Sequence, residues 1–339
     1  MTQTTGLMAN TPRFKLSTGL TTVIAALVLI LLMSAIFAPS SVSPNVISSL
    51  LRFGAVLALV GLGQMLVVQQ GGIDLSVPGA VSLAIVVSSQ VPAGDNSRIP
   101  IAIAVGIGYA LVAGVINGFL VGVLGLNSII ATLGMSATLY GVVIMISDGI
   151  PRLSAPGLRD FASGATVGVP NAFWVALIAL AIVWLMLKGS VAGRRFEFVG
   201  ANRRSGSAIG LAVRRHNALS FVFAQLLYWM AGFLLAGITA QPTAYMGDNY
   251  LLPSVAVVVL GGTSLLGGRG YPLATFLAAF FLKQLDLFVI SLGVPFAIQT
   301  LVQAAALAVG VAIYTINWKA LRLRLTSASA GRTPAPQAG

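Results

Sequence analysis

The sequence predicts an all-α, polytopic helical membrane protein with about ten spans, some of them broken or short half-helices. Of its 339 residues, 57% are hydrophobic and only 8% are charged, and the mean hydropathy is +0.97. A soluble domain usually carries about 25% charged residues. The apolar runs are continuous and do not alternate residue by residue, which favours helices over a transmembrane barrel.

Apolar runs and the breaks between them give the expected positions of the spans. A helix needs about 20 residues to cross a hydrocarbon core. The expected spans are 20–38, 46–68, 77–91, 99–124, 128–146, 173–187, 218–240, 252–266, 273–292 and 296–316. The third and eighth are short for a full crossing and are expected to be re-entrant or buried half-helices. The first run exceeds the roughly 7–15 apolar residues of a cleaved signal peptide, so a retained span is favoured.

The positions of the basic residues give the expected orientation. The formal net charge is +12, and Lys and Arg cluster before the first run, between 188 and 215, and after the last run. Positive charge beside span ends marks the cytoplasmic side. Both termini and the central basic loop are therefore expected in the cytoplasm, and crossing at every span gives the same sides. This distribution favours contact with membrane lipid and argues against nucleic acid as a partner.

Residues for enzymatic or metal chemistry are scarce. The chain has no cysteine, seven acidic residues and a single histidine, His216, which lies in the basic loop. Neither a metal site nor a catalytic serine, histidine and acid set is therefore expected. A membrane-embedded enzyme is the least favoured of the functional hypotheses.

Small residues recur at every fourth position in "GIGYALVAGVINGFLVG". They are Gly106, Ala110, Gly114, Gly118 and Gly122. This spacing lines one helical face with small side chains, so that a neighbouring backbone can approach closely. Contact within the chain is favoured over contact with a second copy.

The first candidate site is a break in the apolar pattern at "QQGGIDLSVPGA". Gly71 and Gly72 can end one helix, Asp74 or Ser76 can cap the next, and Pro78 suits a first helical turn. A carboxylate at membrane depth costs about 2.5–3.5 kcal/mol and is expected to face protein or water. Two interpretations carry equal weight: the break lies on a substrate path, or Asp74 only caps a half-helix near the cytoplasmic interface.

A second glycine break follows the eighth apolar segment, at "VVVLGGTSLLGGRGYP". Its Gly261 and Gly262 repeat the GG-x-x-L pattern of the first break, a weak sign of an internal repeat. Both breaks are expected to flank a central cavity. Gln64, Asn127 and Thr132 are further polar candidates for contact with the substrate.

The central basic loop contains a turn that a simple connector would not need. Gly200, Ala201 and Asn202 predict a turn and a helix cap, and 205–211 can form a short helix that projects from the membrane. Such an element suits docking into a partner protein. A basic loop held at anionic lipid headgroups is the alternative, and it explains the arginines but not the turn.

Several motifs together resemble one family. They are "GGIDLS" at 71–76, "IIATLG" at 129–134, "GRRFEFVGAN" at 193–202, "AQPTA" at 240–244 and "VVLGGTSLLGGRG" at 258–270. In this order they are similar to the sugar-type permease subunits of bacterial ABC importers, which serve the uptake of ribose, xylose, arabinose, galactose and other small polar cargo. The match covers nearly the whole chain.

The resemblance implies an assembly of several chains in the bacterial inner membrane. Two cytoplasmic ATP-binding subunits, a periplasmic solute-binding protein and a second permease copy, identical or different, would complete it. This chain contains no G-x-x-x-x-G-K-[ST] phosphate loop, so ATP would be used by the partner and no cofactor is expected here. The expected ATPase-coupling residues are Gly193, Arg194, Glu197, Gly200, Ala201, Asn202, Ser205 and Gly210.

Hydropathy, charge and composition, with the coupling role implied by the resemblance, give the expected domain organisation. Residues 1–17 form a cytoplasmic N-terminal tail, 18–325 a single transmembrane permease domain with its cytoplasmic coupling loop at 191–217, and 326–339 a disordered C-terminal tail. The last segment, rich in Ser, Pro, Gly and Ala, has the composition of disorder.

Two hypotheses compete for the transport mechanism. The leading one is an ATP-driven importer subunit; the alternative is a stand-alone, proton-coupled secondary transporter in which Asp74, or Lys283 with Asp286, relays protons. Lys283 and Asp286 are three residues apart and can pair on one helical face. A structural ion pair is slightly favoured for them over a position on the path or at a contact with another protomer.

Overall fold

The computed structural model describes residues 18–150, 152–239, 241–295, 297–302, 304, 305 and 308. The predicted tails at 1–17 and 326–339 lie outside the described residues, as does most of the predicted span 296–316.

Helices form most of the described chain, joined by short turns. They are α1 Thr18–Phe37, α2 Pro44–Gln69, α3 Val77–Gln90, α4 Ile99–Asn117, α5 Ser128–Ser147, α6 Pro156–Ser163, α7 Asn171–Trp184, α8 Val191–Ala201, α9 Arg203–Ala208, α10 Val213–Ile238, α11 Leu251–Leu260 and α12 Pro272–Ser291. Wider π-helical turns at Gly118–Val123 and Leu185–Gly189 extend α4 and α7. One small hairpin pairs β1, Ala165–Thr166, with β2, Val169–Pro170.

Seven helices in the described part of the chain are long and apolar enough to cross a membrane. The prediction of a helical, polytopic membrane protein is therefore confirmed, while the count of about ten is looser than the structure supports. Two further apolar helices are short, Val77–Gln90 and Met246–Leu260. The 14 residues of α3 extend about 21 Å at 1.5 Å per residue, less than the ~30 Å hydrocarbon core. The eighth segment ends at Leu260, six residues earlier than predicted, because Gly261 and Gly262 stop the helix.

The core is built around α2 and α10. Helix α10 packs on α2, α3 and α4, while α2 also contacts α7, α11 and α12. Every residue of α2 from Gly54 onward is buried, and so is every residue of α3 except its last. A helix that is apolar on all sides belongs inside a protein. The short α3 is therefore enclosed by its neighbours and is not exposed to lipid.

The small-residue face of α4 packs against α10, as predicted. A Cβ atom on Gly118 would lie 2.6 Å from the carbonyl oxygen of Ala218, and one on Gly114 would lie 2.6 Å from the Cα atom of Val222. Any larger side chain would force the two backbones apart. The stripe is thus used within the chain.

The spans run between two ends of the molecule. The basic end contains 70–76, 190–212 and 261–271. The Gly268 amide donates to the Gln69 carbonyl at 2.8 Å, and the Gln70 side chain donates to the Phe196 carbonyl at 2.8 Å. The hairpin end contains 91–98, 152–170 and 241–250, where the Gly157 amide donates to the Asn96 side chain at 2.7 Å. Successive spans run in opposite directions between these ends, as the sequence predicts. Which end faces the cytoplasm stays a prediction.

Candidate substrate pathway and coupling surface

The first break begins where α2 ends in a glycine cap. Gly71 has φ +75°, in the left-handed region that favours glycine. Its amide donates to the Val68 carbonyl at 2.8 Å, and the Gly72 amide donates to the Val67 carbonyl at 3.2 Å. These bonds satisfy the last carbonyls of the helix, so α2 stops at Gln69 because of its glycines, as predicted.

Asp74 organises the turn that leads into α3. Its side chain is fully buried, and its Oδ1 atom accepts hydrogen bonds from the Ser76 amide at 2.8 Å and the Ser76 hydroxyl at 2.5 Å. Ser76, at the start of α3, makes no side-chain cap of its own. The carboxylate therefore fixes the local turn, which agrees with the capping interpretation, but its full burial places it inside the helix bundle.

Ser76 extends this turn into a polar cluster that joins three elements. Its hydroxyl oxygen accepts from the Asn117 amide nitrogen at 3.2 Å and from the Gln225 amide nitrogen at 2.6 Å. The cluster of Asp74, Ser76, Asn117 and Gln225 thus ties the first break to α4 and α10. Among the described residues, Asp74 Oδ2 and the side-chain oxygens of Asn117 and Gln225 have no hydrogen-bond partner. Buried oxygens without donors are costly in a static core.

Helix α5 holds the other side of the first break. The Ile73 amide donates to the Ser128 hydroxyl at 3.1 Å, and the Leu75 amide donates to the Thr132 hydroxyl at 2.8 Å. Thr132 therefore lies at the break, as expected of a pathway candidate, but its hydroxyl is used by the protein backbone. Ser128 was not predicted, although its i, i+4 spacing from Thr132 places both hydroxyls on one helical face.

The remaining polar candidates lie apart from this cluster. Gln64 is fully buried, and its side-chain oxygen accepts from the Tyr228 hydroxyl at 3.0 Å. Asn127 is exposed and caps α5, because its side chain accepts from the Ile129 amide at 2.9 Å. The structure thus brings Asp74, Ser76 and Thr132 together, while Gln64 lies deeper between α2 and α10. Their contact with a substrate stays a prediction.

The second break repeats the backbone geometry of the first. Gly262 has φ +79°, its amide donates to the Val259 carbonyl at 2.8 Å, and the Thr263 amide donates to the Val258 carbonyl at 3.1 Å. Gly262 is therefore the structural equivalent of Gly71. The sequence pattern instead pairs Gly71 with Gly261, one residue out of register. Gly261 serves close packing, since a Cβ atom there would lie 2.7 Å from the Thr275 amide.

Helices α8 and α9 of the central loop rest on both breaks. A Cβ atom on Gly200 would lie 2.1 Å from the Gln69 carbonyl oxygen and 3.1 Å from the Gly268 amide. The Gln70 side chain donates to the Phe196 carbonyl at 2.8 Å, and the Arg203 guanidinium donates to the Gln70 carbonyl. Only glycine fits at 200, so the contact is as close as two backbones allow.

The other predicted coupling residues shape these two helices. Asn202 caps α9 by accepting from the Ser205 amide at 3.0 Å, as the turn predicts. Glu197 forms an ion pair with Lys188 and accepts from the Gln69 side chain at 3.2 Å. Gly210, with φ +79°, ends the segment.

Surface cavities flank α8 and α9 at the basic end. One, of about 380 Å³, is lined in part by Arg194, Ala201 and Tyr271. Gly193 lies on the opposite, buried side, where a Cβ atom would lie 2.2 Å from the Met186 carbonyl.

A family model described as the permease component of branched-chain amino acid transport systems matches residues 46–318. The chain belongs to this family. It is therefore a transport subunit and a multi-pass membrane protein, and the resemblance drawn from its motifs is confirmed. No solved structure matches it.

Curated relatives cover most of the chain. A probable ABC transporter permease protein of Sinorhizobium fredii is 34% identical over 75% of this chain and 76% of its own length. The ribose import permease protein of Bacillus subtilis is 31% identical over 84% of this chain and 89% of its own length. The galactofuranose transporter permease protein of Escherichia coli K12 is 29% identical over 86% of this chain and 88% of its own length.

Proposed function

We propose that this chain is the permease subunit of an ATP-driven importer that moves a monosaccharide or similar small polar solute into the cytoplasm. The observation that carries the proposal is the close packing of α8 and α9 against both glycine breaks. Gly200 of α8 contacts Gln69 at the end of α2 and Gly268 in the second break. A force applied to these helices from the basic end must displace the end of α2 and the loop before α12 together. Rigid transmission of this kind is what an importer driven by a separate ATPase requires.

The partners follow from the same surface. Leu266 and Ile209 are 93% and 65% exposed at the basic end, beside the arginines of the central loop. Single exposed apolar side chains are common on protein surfaces, so the assignment of a partner rests on the position of these two beside α8 and α9. We assign this surface to cytoplasmic ATP-binding subunits, which would supply the ATP chemistry, so that this chain would need no cofactor of its own. A periplasmic solute-binding protein would dock at the hairpin end, and a second permease copy would complete the path.

This assignment places the molecule in the bacterial inner membrane with the basic end and both termini in the cytoplasm. It agrees with the preference of Lys and Arg for the cytoplasmic ends of spans. We treat 18–325 as one permease domain whose coupling loop is 191–217, between the tails 1–17 and 326–339.

The substrate pathway of this proposal runs beside the two breaks. Interrupted helices are used where irregular backbone lines a cavity. The cluster around Asp74 and Ser76, with its unpartnered oxygens, would open to the path when α8 and α9 move. The names of the ribose and galactofuranose relatives favour a sugar as the cargo, whereas the family description names branched-chain amino acids.

The experiment is uptake into proteoliposomes that contain this chain together with the ATPase and binding protein encoded beside it. The panel should hold pentoses, hexoses and branched-chain amino acids, each radiolabelled. Uptake of a sugar that needs both ATP and the binding protein is expected. Uptake of amino acids alone would refute the sugar assignment. Transport by the chain alone under a proton gradient would instead support the secondary transporter.

A further inference from the structure

A cavity lined by both polar and apolar side chains lies near the hairpin end, far along the bundle from the glycine breaks. It has a volume of about 400 Å³ and opens between the start of α11, the end of α10 and the face of α12. Small-molecule sites usually measure about 300–1,000 Å³. Of the residues that the sequence analysis considered for a transport path, only Lys283 and Asp286 line it, and a structural ion pair was slightly favoured for them.

The chemistry of the lining is mixed in the way that a hydroxyl-rich ligand needs. Lys283 Nζ lies 3.0 Å from Asp286 Oδ2, and these side chains keep 22% and 13% of their surface exposed. Asp248 and Asn249, both exposed, line the same cavity, and Tyr250 supplies an aromatic wall. Ammonium, carboxylate and amide groups together offer donors and acceptors at short spacing. Two carboxylates against one ammonium disfavour an anionic cargo.

The Asp248 carboxylate is held in place by a neighbouring helix. The Tyr140 hydroxyl of α5 donates to Asp248 Oδ1, and the Tyr140 and Tyr245 rings lie 5.6 Å apart. The Gly247 amide donates to the Ser82 hydroxyl at 3.1 Å, which anchors the same turn to α3. A side chain fixed in this way is pre-organised for binding, because little rotamer freedom remains to be lost.

An ion pair facing lipid would be costly, so the cavity is expected to face protein, water or a polar ligand. By contrast, a cavity of about 240 Å³ elsewhere on the surface is lined by Leu66, Ile178, Met230 and other apolar side chains, as suits a lipid tail. We propose that the cavity around Asp248, Asn249, Lys283 and Asp286 is a cargo subsite that receives a neutral, polyhydroxylated solute. Lys283 and Asp286 then contact the cargo and are not only a structural pair.

The inference rests on the proposed function, and its test uses the complete transporter in proteoliposomes with the binding protein saturated. The wild-type chain and Asn249→Ala are compared for uptake of the transported sugar and of its single-deoxy analogues. Asn249 is exposed, so its truncation is expected to leave folding intact. Uptake of the sugar should fall at least about fivefold in Asn249→Ala. The wild-type chain should take up one deoxy analogue more slowly than the sugar, whereas the variant should take up both at the same rate. The reason is that the side chain that would bond the missing hydroxyl is absent from the variant.

Two further variants separate contact from folding. Asp248→Asn keeps the shape of the side chain and should change the preference among the same analogues. Asp95→Asn is the matched control: it alters another exposed carboxylate at the hairpin end, one that accepts from the Ser97 amide at 2.9 Å and does not line the cavity. Its preference should equal that of the wild type.

The outcomes are distinguishable. An equal loss for the sugar and every analogue, or uptake within twofold of wild type in both cavity variants, would overturn the subsite while leaving the proposed function in place. Failure of the wild-type transporter to take up any sugar would overturn the proposed function and the subsite together.

Discussion

The two glycine breaks share a backbone but not an environment. Gly71 and Gly262 cap α2 and α11 with the same pair of hydrogen bonds. The first break then buries Asp74 and is held by side chains of α4, α5 and α10. The loop that follows the second break reaches the surface, where Leu266 is 93% exposed. The comparison teaches that a helix stop is set locally by glycine, while its role depends on the polar groups that follow and on what they contact.

Gly200 should show the largest effect, because it touches both breaks at once. In Gly200→Ala the new methyl would lie 2.1 Å from the Gln69 carbonyl oxygen. Backbone must then shift, at a cost of about 1–3 kcal/mol or more. We expect uptake to fall at least about tenfold, with a lower denaturation temperature in detergent. Gly141→Ala, whose Cβ meets no atom within 4 Å, is the control and should match wild type. Normal uptake by Gly200→Ala would mean that the breaks move independently of α8.

Asp74 tests what makes the first break different. Asp74→Leu removes the acceptor for the buried Ser76 amide and hydroxyl, and we expect the free energy of unfolding to fall by about 2–4 kcal/mol. Asp74→Asn keeps one side-chain oxygen as an acceptor for Ser76, so its loss should be under about 1 kcal/mol. Chemical denaturation of the purified proteins measures both. Equal destabilisation would show that the negative charge, and not the hydrogen bonding, holds the break.

The shared glycine caps should respond alike to alanine. Gly71→Ala and Gly262→Ala each place a Cβ atom on a residue with φ near +75° to +79°. A left-handed non-glycine residue costs about 1 kcal/mol. We expect both variants to lose about that much in free energy of unfolding. If only one of them loses stability, the two breaks are not structural equivalents.

Glu197 should show the smallest effect. Its ion pair with Lys188 is partly exposed, and exposed pairs contribute about 0–1 kcal/mol. Glu197→Gln keeps an oxygen that can accept from Gln69, so we expect a shift in melting temperature of at most about 2 °C. A larger shift would place Glu197 among the residues that hold the first break.

The sequence predicted those features that depend on local pattern. Apolar runs predicted the long membrane-crossing helices, although about ten spans were expected and seven described helices are long enough. Glycines predicted the two breaks, the spacing from Gly106 to Gly122 predicted a packing face, and Asn202 predicted a helix cap. In each case a few neighbouring residues decide the outcome. The motifs likewise predicted the family.

Features that depend on distant contacts were not predictable from pattern. Asn117 and Gln225 reach Ser76 from 41 and 149 residues away, and nothing in their own neighbourhoods marks them. The cavity around Lys283 and Asp286 is lined by residues of α10, α11 and α12, so its lining exists only in the folded chain. The register between the breaks was one residue off because sequence cannot show which glycine of each pair adopts positive φ.

The hydrogen bond from the Gly268 amide to the Gln69 carbonyl, 2.8 Å long, links the loop of one break to the helix end of the other. An amide hydrogen exchanges with deuterated solvent only when such a bond opens. The exchange rate of the Gly268 amide therefore reports how often the two breaks separate. Deuterium uptake at this amide, followed by mass spectrometry with and without ATP turnover, would compare the rate of opening in the two conditions without a chemical label on the protein.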